Sequence, residues 1–155
     1  MNSILFVCTA NMVRSPIAEA LLKNKLLAGH DEMQWRIGSA GTWADPGRKV
    51  TLYARDVMLN VFGIDLSLHR SQLVNLTLLK SYKLILVMET GHKEAIKAEF
   101  PEVADRVYLL YEMVDRSRDV EDPIGGTLID YQEAAIEIDS ILSQGFEKIS
   151  QLSQE

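Results

Sequence analysis

Near its start the chain runs Ile4-Leu5-Phe6-Val7, then Cys8-Thr9-Ala10-Asn11-Met12-Val13-Arg14-Ser15-Pro16, then Ile17-Ala18-Glu19-Ala20-Leu21-Leu22. The first stretch is a short apolar run of strand type, and the last has helical spacing. Between them a thiol leaves a strand end, a tight loop follows, and a helix N-terminus closes it. Ser15 suits the N-cap of that helix, and Pro16 suits its first turn, where a missing N–H is no loss. Backbone N–H groups of such a loop can converge on one anion, and the helix dipole favours negative charge there. Arg14 adds a guanidinium fork that matches two oxygens of a phosphate. The same positive surroundings favour the thiolate of Cys8, which makes the residue a nucleophile beside an anion cradle. A lone cysteine after a strand is more often a buried structural residue. The full order of strand, Cys, Arg, Ser, Pro and helix reverses that preference.

Strand and helix patterns alternate along the rest of the chain. Residues 4–7 form the first strand and 16–28 the first helix, with Ile17, Leu21, Leu22 and Leu26 on one face and Gly29 as the stop. Met33 to Ile37 reads as a short second strand. The segment 38–42 then reads as a loop and 43–47 as a turn-rich stretch. A helix is expected over 50–61, with Leu52, Val57 and Val61 for the core, and a short helix near 71–75. Leu84 to Met88 is a continuous apolar run, as a parallel strand buried on both faces requires. A helix from Gly91 to Glu99, a strand over Val107–Leu110 and a polar loop from Asp115 to Gly126 follow. The last helix covers Thr127 to about Leu152, with Ile129, Ala134, Ile136, Ile138, Ile141, Leu142 and Ile149 as core candidates. This alternation implies one α/β domain over residues 1–155: a four-stranded parallel sheet with helices on both faces, flavodoxin-like in type. In such folds ligands sit at the carboxyl ends of strands, near a switch point in strand order. Cys8 lies at such an end.

Composition narrows the function. The net charge is −6 with no Lys/Arg block, which argues against nucleic acid as a partner. One cysteine allows no internal disulfide. The three histidines, His30, His69 and His92, lie far apart, so no metal and no cofactor is expected. No stretch has membrane-spanning length or signal-peptide form. A reduced cytoplasmic setting is expected, where a reactive thiol persists.

The segment Cys8–Pro16 resembles the signature of the low-molecular-weight protein tyrosine phosphatases. The resemblance continues through Gly38-Ser39-Ala40-Gly41-Thr42, His69-Arg70-Ser71, Val87-Met88-Glu89 and Asp122-Pro123, in the family's order and at about its length. It implies a phosphotyrosine phosphatase I-like fold and hydrolysis of phosphotyrosine through a phosphocysteine on Cys8, with Arg14 and the loop 9–15 (Thr9, Ala10, Asn11, Met12, Val13, Arg14, Ser15) binding phosphate. The leaving group needs a proton and the intermediate needs an activated water, and one carboxyl group can serve both in turn. The resemblance puts Asp122 in that role. Pro123 restricts its backbone to extended geometry. Glu121 and Asp119 are local competitors.

The family match also gives Ser15 a hydrogen bond to the thiolate and makes Ser39 and His69 partners of the loop residue Asn11. It puts Trp43 on a wall of the substrate cleft, with Met12 and Ile124 beside it. An apolar residue at Met12 goes with aryl substrates in that family, and threonine goes with phosphoarginine. Three positions depart from the family pattern. Val13 stands where many relatives have a second cysteine, Ala10 where glycine is usual, and Ile124 where an aromatic is common. Expected partners are a phosphotyrosine protein, including a tyrosine kinase, for a monomeric enzyme with no membrane insertion. Two competing functions use the same frame. Arsenate reductase chemistry would need thiols beyond Cys8. A non-catalytic phosphate-binding or phosphocarrier module would have no use for an acid at Asp122.

Overall fold

The computed structural model describes residues 1–155. Four parallel strands, β1 (Asn2–Cys8), β2 (Trp35–Gly41), β3 (Leu84–Val87) and β4 (Val107–Leu109), pair in the order β2-β1-β3-β4. β1 is central, so successive residues point into opposite layers. Ile4, Phe6 and Cys8 face a core shared with Leu21, Leu22, Ile138 and Leu142, from helices α1 (Arg14–Ala28) and α5 (Leu128–Gln144). Leu5 and Val7 face a smaller core with Leu79 and Ile96, from α3 (Leu76–Lys80) and α4 (Thr90–Glu99). Helix α2 (Leu52–Phe62) leans on α5, and α6 (Phe146–Leu152) ends the chain. Strand order reverses between β1 and β3, so Cys8 sits at the carboxyl edge beside the switch point.

Several boundaries differ from the sequence expectation. Helix α1 begins at Arg14, with Val13 as its N-cap and no side-chain cap. Ser15 therefore lies inside the first turn, and its hydroxyl is free for the loop. The segment 38–41 is strand, because β2 pairs with β1 in register as far as Cys8↔Gly41. The short helix comes later, at 76–80, where Asn75 Oδ1 accepts from the Leu78 N–H at 2.8 Å. Residues 71–74 run extended instead, with a parallel bridge between Gly41 and Leu73. The last helix is broken at Gly145, where a Cβ would stand 2.8 Å from that of Met113, so the chain can only pass as glycine. Leu52, Val61, Ile129 and Ile136 are exposed, and Ala54, Val57 and Met58 take the core side of α2. No helix is long and apolar enough to cross a membrane.

Candidate active site

The loop that follows β1 is held from two sides. On one side Asn11 is fully buried and adopts a left-handed backbone, φ 57°. Its Nδ2 donates to Ser15 Oγ at 2.8 Å and to Ser39 Oγ at 3.0 Å, and its Oδ1 accepts from the Gln72 N–H at 3.0 Å. Its carbonyl accepts from His69 Nε2 at 2.8 Å, which puts the proton of that ring on Nε2. Below it, Gly41 leaves no room for a side chain: a Cβ there would lie 2.3 Å from the Thr9 carbonyl oxygen and 3.0 Å from the Asn11 nitrogen. The 38–41 segment is thus both the edge of the sheet and the floor of the loop.

Cys8 is buried, with Sγ 2.9 Å from Ser15 Oγ. The Ser15 hydroxyl accepts from Asn11, so its own proton is available to the sulfur or, at 3.3 Å, to the Ala40 carbonyl. None of the backbone N–H groups from Thr9 to Ser15 donates to another part of the chain. They are free for an anion, at the N-terminus of α1.

On the other side lies Arg14, a fully buried cation. Nη1 donates to Glu89 Oε2 at 2.5 Å and to the Val120 carbonyl at 2.7 Å. Nη2 lies 3.5 Å from Asp122 Oδ2 and 3.5 Å from Thr9 Oγ1. Asp122 is more than a third exposed, and its Oδ1 accepts from the Ile124 N–H at 3.0 Å. Cys8, Ala10, Met12, Val13, Arg14, Asp122 and Ile124 line one small pocket. Trp43 does not line it. Its backbone N–H donates to the Thr9 carbonyl at 2.9 Å, and the residue is 84% exposed beside the loop. Neither Glu121 nor Asp119 lines this pocket, and Asp119 Oδ1 accepts from the Thr90 N–H and hydroxyl.

Sequence reasoning gives two residues of this site no role, although the family resemblance runs through Val87-Met88-Glu89. Glu89 and His92 both follow β3. Glu89 pairs with Arg14, while His92 Nδ1 accepts from the Glu89 N–H at 3.1 Å and Nε2 lies 2.8 Å from Thr9 Oγ1. His92 is therefore the neutral Nε2–H tautomer, donating to Thr9. Burial holds its basicity below the ordinary histidine value, and the Arg14 charge adds to that. The available clue is position: both sit at the carboxyl edge of the strand that neighbours β1 across the switch point.

Comparison with known proteins places this arrangement. The family model for low molecular weight phosphotyrosine protein phosphatases matches residues 3–155. The chain belongs to that family. It is a phosphatase of this hydrolase class, built on the family's four-stranded parallel sheet. Among curated relatives, a protein-arginine-phosphatase of Geobacillus stearothermophilus is 35% identical over 147 residues, covering 94% of this chain and 95% of its own. The probable low molecular weight protein-tyrosine-phosphatase EpsP of Ralstonia nicotianae is 36% identical over 135 residues, 86% of each chain. A solved low molecular weight protein tyrosine phosphatase from T. tengcongensis superposes with a TM-score of 0.90 at 35% identity, covering 96% of this chain and 99% of that one. The family thus includes members named for two phosphorylated side chains, and the chain is similar to both kinds.

Proposed function

We propose that this phosphatase hydrolyses phosphotyrosine in proteins, and small aryl phosphates, through a phosphocysteine on Cys8. The observation that carries the reading is the buried Cys8 sulfur beneath a loop of free N–H groups, with Arg14 on one side and Asp122 above. A phosphoryl group in the loop is held by those N–H groups and by Arg14 Nη2, which also stabilise the charge that builds on its equatorial oxygens. The Cys8 thiolate, stabilised by the Ser15 hydroxyl, attacks phosphorus. The bond from phosphorus to the tyrosine oxygen breaks, and protonated Asp122 gives its proton to that oxygen. Asp122, now a carboxylate, takes a proton from water as the water oxygen attacks phosphorus. The P–S bond breaks, phosphate leaves, and the thiolate is restored. All of these steps use groups of the chain itself and water. A lone thiol of this kind suits a reducing compartment, which fits a cytoplasmic enzyme acting on phosphoproteins, kinases among them.

Phosphoarginine is the second reading, favoured by the arginine phosphatases among the relatives. Met12 argues for tyrosine. It lines the pocket mouth with Ile124, and a thioether packs well on a phenyl ring while leaving a guanidinium without polar company. The test is phosphate release from matched phosphotyrosine and phosphoarginine peptides by wild type and Cys8→Ser. Faster release from phosphotyrosine, abolished in the variant, is expected. Faster release from phosphoarginine overturns the substrate assignment, and wild-type release by Cys8→Ser overturns the mechanism.

A further inference from the structure

Behind the phosphate loop, on the outer side of α1, a groove of about 610 Å³ runs between that helix and the 64–69 segment. That volume is in the range of small-molecule sites. Its walls are apolar and unusually bare. Leu68 is 92% exposed and Leu27 57%, with Trp35 and Ile37 deeper between them. One polar atom in it stands out. Glu32 Oε2 is the single buried side-chain nitrogen or oxygen in the protein with no hydrogen-bond partner. A buried carboxylate oxygen without a partner is costly, and a cation is its natural complement. The one lysine on the lining, Lys23, is half-exposed and pairs with Glu19 Oε2 at 2.5 Å, not with Glu32. Asp65, also on its lining, adds a further negative charge.

The groove also touches the loop's bracing. Glu19 Oε1 accepts from Ser39 Oγ at 2.6 Å, and Ser39 Oγ accepts from Asn11 Nδ2. His69, a second lining residue, donates to the Asn11 carbonyl. Two short arms thus lead from this groove to one residue, the left-handed Asn11. From Asn11 a single further hydrogen bond reaches Ser15, the partner of Cys8.

We propose that the groove is a second binding site, for a small cationic amphiphile: an ammonium or guanidinium head on an aryl or alkyl body. The head pairs with Glu32, and the body lies on Leu27, Leu68 and Trp35. Occupancy alters turnover through Glu19 and His69. Binding here stands apart from the substrate reading above. Only the effect on turnover rests on it, and the two are read separately.

The probe is 4-phenylbutylamine, with 4-phenylbutanol and 4-phenylbutyrate as neutral and anionic counterparts. Trp35 and Trp43 are the protein's two tryptophans, so in Trp43→Phe the remaining fluorescence reports on the groove. Saturable binding of the amine is expected, with affinity about tenfold weaker for the alcohol and none for the acid. Glu32→Gln should weaken the amine about tenfold while leaving aryl phosphate turnover without ligand as in wild type. Leu68→Ser, at an exposed position that carries no folding risk, should weaken all binding. Bound amine should change kcat at least twofold in wild type, and not in Glu32→Gln at the same concentration. Equal binding of amine and alcohol, indifference to both substitutions, or competition with inorganic phosphate would overturn the site. Binding that needs Glu32 but leaves kcat unchanged would overturn the coupling to the loop.

Discussion

The two flanks of the phosphate pocket are built to opposite standards. Asn11 is fully buried, and all of its side-chain polar atoms and its carbonyl have partners, from nearby Ser15 and from two distant segments at Ser39 and at His69–Gln72. Asp122 sits on a loop, more than a third exposed, with one local hydrogen bond and a 3.5 Å approach to Arg14. The difference fits what the proposed reaction asks of each. A loop that crowds free N–H groups together tends to spring open, and only saturated neutral hydrogen bonds hold it without adding charge. A group that must give up a proton and recover one needs access to water and freedom to approach. Rigidity on one side and looseness on the other are both part of the same chemistry.

The strongest break is at the centre. Cys8→Ser should lower aryl phosphate turnover by about four orders of magnitude or more, with an unchanged unfolding midpoint. Arg14→Ala should do the same to turnover, but it should also unfold the protein more easily. Removing the buried guanidinium leaves the Val120 carbonyl without its donor and leaves Glu89, about a third exposed, to water, a loss of about 1–3 kcal/mol. Denaturant titration beside the rate assay separates the two variants. An unperturbed Arg14→Ala would mean the pair with Glu89 contributes nothing.

The flanks themselves are compared by Asp122→Asn and Asn11→Ala. Asp122→Asn should slow release of poor leaving groups by about 10²-fold or more and good ones much less, while stability changes by about 0.5 kcal/mol or less. Asn11→Ala should cost about 3 kcal/mol, since it strands several partners and leaves alanine at positive φ. Its rate loss should be independent of the leaving group. A leaving-group dependence in Asn11→Ala, or a large stability loss in Asp122→Asn, would erase the distinction between the two sides.

A smaller effect is expected at the mouth. Met12→Thr should shift the ratio of phosphotyrosine to phosphoarginine turnover toward phosphoarginine by about tenfold, an amount set by one pocket contact. Matched peptides measure it. An unchanged ratio would move selectivity to other loops.

The smallest effect is in pH. His92 binds a proton less readily in the folded state than an ordinary histidine does, so below about pH 6.5 the unfolded chain takes up more protons than the folded one. Stability should therefore fall as pH drops through and below that point, and be indifferent to this residue above it. In His92→Gln the unfolding midpoint should lose that part of its acid sensitivity. Equal slopes in both proteins would detach His92 from the Arg14 side of the pocket.

Much of this pocket was legible in the chain itself, because its centre is local. Cys8, Arg14 and Ser15 fall within one strand–loop–helix unit, and Asp122-Pro123 carries its own turn chemistry. The central strands were equally plain, being short runs with no competing pattern. What escaped was set by pairing at a distance. Gly38 to Gly41 has loop composition and becomes strand only because β1 lies alongside it as far as Cys8. Residues 71–74 are extended for the same reason, held by Gly41. Val87-Met88-Glu89 is part of the family resemblance, but nothing local to Glu89 names its partner, which is 75 residues away. Ser15 has the residue type of a helix cap, but the helix starts one residue earlier, and only the bond to the sulfur that the family match implies is present.

The fixing of Arg14 by Glu89 and the Val120 carbonyl has a further consequence. The guanidinium is already oriented before a ligand arrives, so a bound tetrahedral oxyanion loses little entropy to it on entry and regains little on leaving. The reaction product, free phosphate, has the same shape as the group just removed. A cage prepared for the reactant is thus equally prepared for the product. Free phosphate should therefore compete with substrate for the loop, so that a phosphate-rich medium raises the apparent KM.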